Sequence, residues 1–349
     1  MVCIAAFIVL CLVGVFVAFL SIFRRDIGQK YWAVFKKAWG CVGKKVRLQK
    51  CETNFKDDVK NSLLSKVVLK HPKWVRPLGV AIEVSAILIV FITIWSLIEA
   101  VKALLALWVF GTCNVSQPAS CALGAEICGI DAEEPKNPIE WTGRWFDEWG
   151  EIFANIPDRF RTWQAEDYLV EPYSFATKYQ DGNPLALDVF DPGCSVCVQS
   201  YRNQKSSGFF DQYNTVLMIY PIQLPDGTYK FNNSDLVAEY MHAADLLDTD
   251  YAPKILDRIF TEYDDKGVMY QSVIMQSTRE DAEVTLQQWL QEFGMAKSKV
   301  TELVKVAHGE EVQNIMQQVK NMVENQMHAK GIPTLIYGGR KHSGLYKAD

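Results

Sequence analysis

The sequence predicts an α/β protein whose folded domain is preceded by two transmembrane helices. Two long apolar runs lie in the first third of the chain, and charged residues are nearly absent from both. Short runs rich in Val, Leu and Ile, bounded by Asp, Gly and Pro, follow in the second half and are typical of buried strands. A long segment with helical periodicity then separates these strands from a last extended segment, which predicts a helical insertion in an α/β domain.

The first apolar run covers residues 2–23 and contains no charged residue. Its 22 residues are enough to cross a hydrocarbon core about 30 Å thick. A signal peptide usually begins with basic residues and ends at a cleavage site of small residues. Here no basic residue precedes the run and two arginines follow it. Residues 1–23 are therefore predicted to be a retained transmembrane helix.

The second apolar run, residues 77–110, is predicted to be another transmembrane helix. It contains three charged residues, of which Glu83 lies near one end. The other two, Glu99 and Lys102, are one helical turn apart and can neutralise each other.

The charge distribution predicts how the chain crosses the membrane. Residues 24–76 carry 15 Lys and Arg against 4 Asp and Glu, and short basic loops stay in the cytoplasm. The N-terminus and residues 111–349 are therefore expected outside the cytoplasm, in a two-pass protein of the cell membrane. Residues 111–349 carry 20 basic against 35 acidic residues, which argues against nucleic-acid binding there.

Residues 111–167 are predicted to form a connector that contains an amphipathic helix. The first part is rich in small residues and includes three cysteines. The second part has an aromatic residue at every fourth position, which predicts one apolar stripe along a helix. The stripe can rest on the membrane surface or pack on the following domain. Its residues are Trp141, Trp145, Trp149 and Phe153.

Residues 168–349 are predicted to form the folded α/β domain. A first strand is expected within 168–180, a buried strand at 185–190 and another at 215–224, each bounded by turn residues. Helices are expected from about 234 to 330, one of them opened by a capping box at Thr278 and Asp281. Extended chain follows, with a turn at Gly338 and Gly339. The predicted helices are 235–248, 251–263, one from 278 to before 294, 297–308 and 310–330.

The candidate site is the Cys194-Ser195-Val196-Cys197 motif, directly after the buried strand and at the start of a predicted helix. Cysteines with this spacing can form a disulfide, and a helix N-terminus favours the thiolate of the first one. Cys194 is therefore the expected nucleophile. Cys197 is expected to resolve the mixed disulfide.

Two other interpretations of the motif remain. Half of a zinc site needs two further ligands, yet residues 111–349 contain no second CxxC and only isolated histidines. A structural disulfide is the other alternative. Because the motif stands between a strand and a helix, we favour thiol–disulfide exchange, without a metal or another cofactor.

The motif and its surroundings resemble the thioredoxin superfamily. Asp188 stands six residues before Cys194, where many thioredoxins carry a buried acid, and Ile332-Pro333 precedes a short strand and a glycine turn, where the family has a cis-proline. The resemblance implies that Asp188 takes or returns the proton of Cys197. It also implies that the backbone of Ile332 pairs with an extended substrate beside Pro333.

The spacing between the motif and Pro333 resembles the DsbA-type plan, in which a helical domain is inserted into the fold. The resemblance covers residues 168–349, about half of the chain. Ser195-Val196 is neither the Gly-Pro of thioredoxins nor the Pro-His of DsbA, and 191–193 replace the aromatic residue that often precedes the motif. Oxidase, reductase and isomerase therefore remain alternatives.

The resemblance and the predicted topology imply an enzyme that exchanges disulfides with exported cysteine-containing proteins. No quinone- or flavin-binding motif is evident in the sequence, so a separate membrane redox partner is inferred to recycle the enzyme. A redox-inactive polypeptide-binding scaffold and a soft-metal (copper) carrier are the alternative functions. Three further cysteines, Cys113, Cys121 and Cys128, lie in the connector. Two of them are expected to pair, and the third can stay free, join another chain or exchange with Cys194.

Overall fold

The computed structural model describes residues 75–121, 123–247 and 250–347. The first predicted transmembrane helix and nearly all of the basic loop therefore lie outside the described residues. The chain divides into two compact units, one up to Lys102 and the other Ala103–Asp349. The candidate site lies in the second unit.

The second apolar run forms a helix, α1 (Val75–Phe110). Its segment Phe91–Phe110 is long and apolar enough to cross a membrane, and only 17% of its most apolar window is buried. Large apolar side chains such as Phe91 are exposed along it. The predicted neutralisation of Glu99 is confirmed by an ion pair of 3.2 Å with Lys102.

The connector contains a two-residue strand, β1 (Cys128–Gly129), and the predicted aromatic helix, α2 (Pro138–Ala154). The Asn137 side chain caps α2 by accepting hydrogen bonds from two backbone N–H groups of its first turn. Ile152 is fully buried in a cluster with the end of α1. Phe146 is 67% exposed, so part of the aromatic face stays uncovered. Also exposed on α2 are Trp141 and Phe153.

Two parallel strands and two connecting helices follow: β2 (Leu185–Phe190), α3 (Ser195–Ser207), the short α4 (Phe209–Gln212) and β3 (Asn214–Ile219). Both strands are almost wholly buried, as expected for parallel strands covered on both faces. β2 has its predicted bounds. β3 ends before its predicted limit because Pro221 has no N–H group for the ladder.

The strand expected within 168–180 is not formed. Phe175 makes an isolated bridge with Val216 of β3, flanked by hydrogen bonds from the N–H of Ala176 to the carbonyl of Thr215 and from the N–H of Leu217 to the carbonyl of Ser174. The preceding Pro172 supplies no donor, so the pairing stays local.

The helical insertion lies between β3 and the last strands, as predicted. The Thr278 hydroxyl accepts a hydrogen bond of 3.2 Å from the N–H of Asp281, which confirms the predicted cap. The helix α7 was not predicted, and α10 ends earlier than expected, where a π-helical turn begins. The helices are α5 (Ser234–Leu246), α6 (Tyr251–Thr261), α7 (Tyr270–Gln276), α8 (Arg279–Glu292), α9 (Lys297–Ala307) and α10 (Glu310–Asn321).

The chain returns to the sheet through β4 (Gly331–Ile332), β5 (Thr334–Tyr337) and β6 (Arg340–Ser343). The four-stranded sheet has the order β3-β2-β5-β6, and β5 runs antiparallel to both of its neighbours. β4 pairs separately with β1. The predicted mixed α/β class with a helical insertion is therefore confirmed, and the end of β2 and the start of β5 lie beside each other.

Candidate redox site

Cys194 is the N-cap residue of α3, where the sequence analysis expected it. Its sulfur accepts a hydrogen bond from the N–H of Cys197 at 3.4 Å, and its own N–H donates to the carbonyl of Asp191 at 3.0 Å. Gly193 is required in this turn, because a Cβ there would overlap the Phe231 side chain. The turn after β2 thus holds the sulfur at a helix end, where backbone N–H groups favour negative charge.

The disulfide partner of Cys194 differs from the expectation. Cys194 is bonded to Cys128 of the connector, with a Cα–Cα distance of 6.2 Å, rather than to Cys197. Cys113 and Cys121 form the other disulfide, so two connector cysteines pair as expected. Among the described cysteines, Cys197 carries a free thiol, and it is buried. Spacing alone favoured Cys197 as the partner, because a cysteine 66 residues earlier is brought close only by the tertiary fold.

The backbone of Ile332, the residue before Pro333, lies beside the same sulfur. The Ile332–Pro333 peptide bond is cis, and the carbonyl oxygen of Ile332 lies 4.0 Å from the sulfur of Cys194. Cys128 pairs antiparallel with Ile332, and Gly129 pairs with Gly331. The edge that was expected to bind an extended substrate is therefore covered by a strand of the chain itself.

The Cys197 thiol is enclosed by protein. Burial raises the pKa of Cys197 well above its usual range, and the carboxyl groups of Asp188 and Asp191 raise it further. A hydrogen bond with the Asp191 backbone acts in the opposite direction. Cys197 therefore keeps its proton unless a neighbouring base removes it.

Asp188 is buried in β2, as the resemblance implied. Burial raises the pKa of Asp188 to about 6, while a hydrogen bond from the Gln204 side chain lowers it. That bond, from Nε2 to Oδ2, measures 2.8 Å. The carboxyl group thus changes its protonation slightly below neutral pH.

Asp191 is a second buried acid, although the sequence pattern predicted only a turn residue there. Its two oxygens accept hydrogen bonds of 2.7 Å from the N–H groups of Gly193 and Ile222. Burial nevertheless raises the pKa of Asp191 to about 7. The signal in the sequence was an acidic residue between a buried strand and the CxxC motif. The site therefore contains two carboxyl groups that titrate around neutrality beside one buried thiol.

Comparisons with known proteins find similar solved structures but no matching sequence. No family model and no curated protein sequence matches the chain. The thiol–disulfide exchange protein alpha-DsbA2 from Wolbachia pipientis is 15% identical, with 52% of this chain and 85% of that chain covered and a TM-score of 0.37. MdbA, a thiol–disulfide oxidoreductase from Corynebacterium diphtheriae, is 12% identical, with 50% and 91% covered and a TM-score of 0.35.

A third solved structure, ScsC from Proteus mirabilis in a transitional conformation, is 12% identical over 59% of this chain and 84% of that one, with a TM-score of 0.36. Similarities with TM-scores this low do not establish a function. The chemistry of the site follows from the geometry of its own residues.

Proposed function

We propose that residues 168–349 form a thioredoxin-like domain that catalyses thiol–disulfide exchange at Cys194 and Cys197. One observation carries the proposal: Cys194 is disulfide-bonded to a cysteine in an extended strand, and that strand pairs with Ile332 next to a cis-proline. A mixed disulfide with an extended polypeptide bound by strand addition would have this arrangement. The free thiol of Cys197 lies on the first turn of the same helix.

In the reducing direction, the Cys194 thiolate attacks one sulfur of a substrate disulfide. A bond forms between Cys194 and that sulfur, and the other substrate sulfur leaves as a thiolate. Cys197 then attacks the sulfur of Cys194, which releases the second substrate thiolate and forms the Cys194–Cys197 disulfide. The oxidising direction is the reverse sequence, and an isomerase uses both halves.

The two carboxyl groups supply the proton transfer that this exchange needs. Asp188 and Asp191 both affect the titration of Cys197, and their own raised pKa values lie near neutral pH. An ionised carboxylate can accept the proton when Cys197 attacks, and the carboxylic acid can return it in the reverse step. Asp191 shares this role with Asp188 in our proposal.

We further propose that the domain works outside the cytoplasm on exported cysteine-containing proteins, anchored by the N-terminal helices and recycled by a separate membrane redox partner. Two disulfides in the described part of the chain favour an oxidising compartment. The exposed apolar side chains along α1 and the basic segment before it support the membrane anchor.

The full chain in detergent should reduce insulin or oxidise a peptide dithiol, and Cys194→Ser should abolish both activities. Cys197→Ala should instead accumulate a covalent complex with the peptide through Cys194. The matched control is Cys113→Ser with Cys121→Ser, which removes the other disulfide and should keep the activity. No turnover in either direction would refute the proposal. In that case, peptide binding that Cys194→Ser does not affect would support the scaffold. Stoichiometric binding of Cu⁺ by Cys194 and Cys197 would support the metal carrier.

A further inference from the structure

We propose that residues 125–130, the arm strand, are a built-in substrate strand that closes the redox site, and that Cys128 is its third redox-active cysteine. In this inference, which rests on the proposed function, the chain alternates between a closed form with the Cys128–Cys194 disulfide and an open form with the Cys194–Cys197 disulfide. In the open form, only non-covalent contacts hold the arm strand, so an external polypeptide can displace it from the edge at Ile332.

The arm strand is bound as an extended peptide is bound to a sheet edge. Residues of β1 pair antiparallel with Gly331 and Ile332 of β4. The N–H of Ile130 donates to the carbonyl of Lys330 at 3.0 Å, and the N–H of Leu345 donates to the carbonyl of Glu126 at 3.0 Å. Backbone hydrogen bonds of this kind are a general way of binding extended polypeptides. The pairing therefore extends on both sides of the disulfide.

Glycines make room for the arm strand. A Cβ on Gly331 would lie 2.7 Å from the Ile127 side chain and 2.8 Å from the carbonyl oxygen of Cys128. A Cβ on Gly344 would lie 2.6 Å from the Cβ of Ala125. Any larger residue at these two positions would push the arm strand away. The close approach is therefore a feature of the surface that receives the strand.

A lysine holds the end of the arm strand. The ammonium group of Lys230 donates to the carbonyl of Gly129 at 2.7 Å and forms an ion pair of 2.6 Å with Asp131. The other end is tied back by a hydrogen bond of 2.9 Å from the N–H of Ala125 to the carbonyl of Gly111. These contacts do not depend on the disulfide. They therefore keep Cys128 close to the site after the disulfide opens.

Opening needs no external oxidant or reductant. Cys197 gives its proton to a neighbouring carboxylate and attacks the sulfur of Cys194. The Cys194–Cys197 bond forms, the Cys128–Cys194 bond breaks, and the leaving Cys128 thiolate takes up a proton. One thiol and one disulfide are present before and after the step, so electrons balance. The product is the oxidised CxxC pair with Cys128 reduced.

A tethered strand competes strongly with external substrates. Its effective concentration at the site is in the millimolar range for a short connection, above that of most substrate proteins. The site therefore favours polypeptides that bind to the edge at Ile332 more tightly than the arm strand does. Other polypeptides react only after the arm strand has left the edge. In the closed form, Cys194 is buried, so the arm strand also shields the Cys128–Cys194 disulfide from small thiols.

Mapping the disulfides of the oxidised full chain in detergent tests this inference. The sample is quenched with acid and alkylated, and its disulfides are identified by mass spectrometry. We expect both Cys128–Cys194 and Cys194–Cys197 in the wild type, only Cys128–Cys194 in Cys197→Ser, and only Cys194–Cys197 in Cys128→Ser. Oxidation of a fluorescent peptide dithiol should be about tenfold faster in Cys128→Ser than in the wild type. The double variant Cys113→Ser, Cys121→Ser has lost a disulfide of the same connector and should stay within about threefold of the wild type.

The outcomes separate this inference from the proposed function. Mapping that finds Cys194–Cys197 alone in the wild type, with equal rates for wild type and Cys128→Ser, would overturn the closing strand and leave the exchange activity intact. A permanent Cys128–Cys194 bond, with no peptide oxidised or reduced by either protein, would overturn both. Faster reaction of Cys128→Ser, with two interconverting disulfides in the wild type, supports both.

Discussion

At the scale of residues, the two cysteines of the motif are both buried but differ in the polar groups beside them. The sulfur of Cys194 lies at the N-terminus of α3, whereas Cys197 is buried beside two carboxyl groups. A helix end stabilises a thiolate, and burial near carboxylates destabilises one. Cys194 is therefore suited to be the nucleophile and leaving group towards substrates, and Cys197 needs a base before it can react.

This asymmetry predicts a pH dependence for the step in which Cys197 attacks Cys194. Asp188 and Asp191, with pKa values raised to about 6 and about 7, accept a proton only when ionised. The rate at which Cys128 becomes reactive to maleimide in the oxidised chain should therefore rise between about pH 5 and 8. Asp191→Asn should remove the upper part of this rise and slow the step at pH 7 severalfold, because Asp188 can still accept the proton.

Other titratable groups near the two carboxyls do not give the same profile. Burial raises the pKa of the phenols of Tyr201 and Tyr220, so both stay neutral over this range, and Asp235 acts on Asp191 only as a nearby charge. The solvent-exposed Asp265 serves as the control position. A profile unchanged by Asp191→Asn, or changed equally by Asp265→Asn, would contradict the assignment.

At the scale of elements, the site depends on three chain segments that are distant in sequence. The turn after β2 presents Cys194, the start of β5 presents Pro333, and the connector brings Cys128 onto β4. The helical insertion separates the first two segments and carries none of the cysteines. The insertion returns the chain to β4, and its Gln271 side chain donates a hydrogen bond of 2.6 Å to the carbonyl of Gly193 next to Cys194. Lys230, which holds the arm strand, lies between β3 and α5.

Lys230 should therefore control how tightly the arm strand is held. Lys230→Met removes the hydrogen bond to Gly129 and the ion pair with Asp131. Because both contacts are partly exposed, we expect a loss of about 1 to 2 kcal/mol, which corresponds to about 5- to 30-fold faster hydrogen exchange at the N–H groups of Ile130 and Leu345 in the open form. Hydrogen–deuterium exchange mass spectrometry of Cys128→Ser, with and without Lys230→Met, measures these exchange rates.

Lys205→Met is the matched control for that experiment. Lys205 forms an ion pair of 2.5 Å with Asp257 on the helical side of the domain, away from the arm strand. Its substitution should leave exchange at Ile130 and Leu345 unchanged. Equal effects of the two substitutions would mean that Lys230 stabilises the whole domain and does not hold the arm strand in particular.

At the scale of the whole molecule, topology determines which proteins the site can reach. The basic segment before α1 and the acidic domain after it predict that residues 111–349 lie outside the cytoplasm. In intact cells, a membrane-impermeant maleimide should label Lys136→Cys, whose side chain is 77% exposed. Lys45→Cys, in the basic loop, should be labelled only after lysis. Labelling of Lys45→Cys alone would reverse the topology and place the site among cytoplasmic thiols.

Several features of this protein could be predicted from local sequence patterns. The buried strand before Cys194, the position of Cys194 at a helix start and the cap at Thr278 follow from neighbouring residues, so the sequence could predict them. The buried acid Asp188 and the proline at 333 came from a family resemblance. The turn residue Asp191 was missed because a pattern of Asp, Pro and Gly does not tell whether the carboxyl group is exposed or buried.

The sequence by itself determined that two cysteines stand at a strand–helix junction in an α/β domain that follows a long apolar run. Only the tertiary structure decided which sulfur Cys194 bonds to. A CxxC spacing makes the local pair possible, but a partner 66 residues away depends on backbone pairing at β4 and on glycines that let the arm strand approach. Such contacts form between segments whose proximity no local pattern encodes, and they turned a predicted substrate edge into one already occupied by the chain.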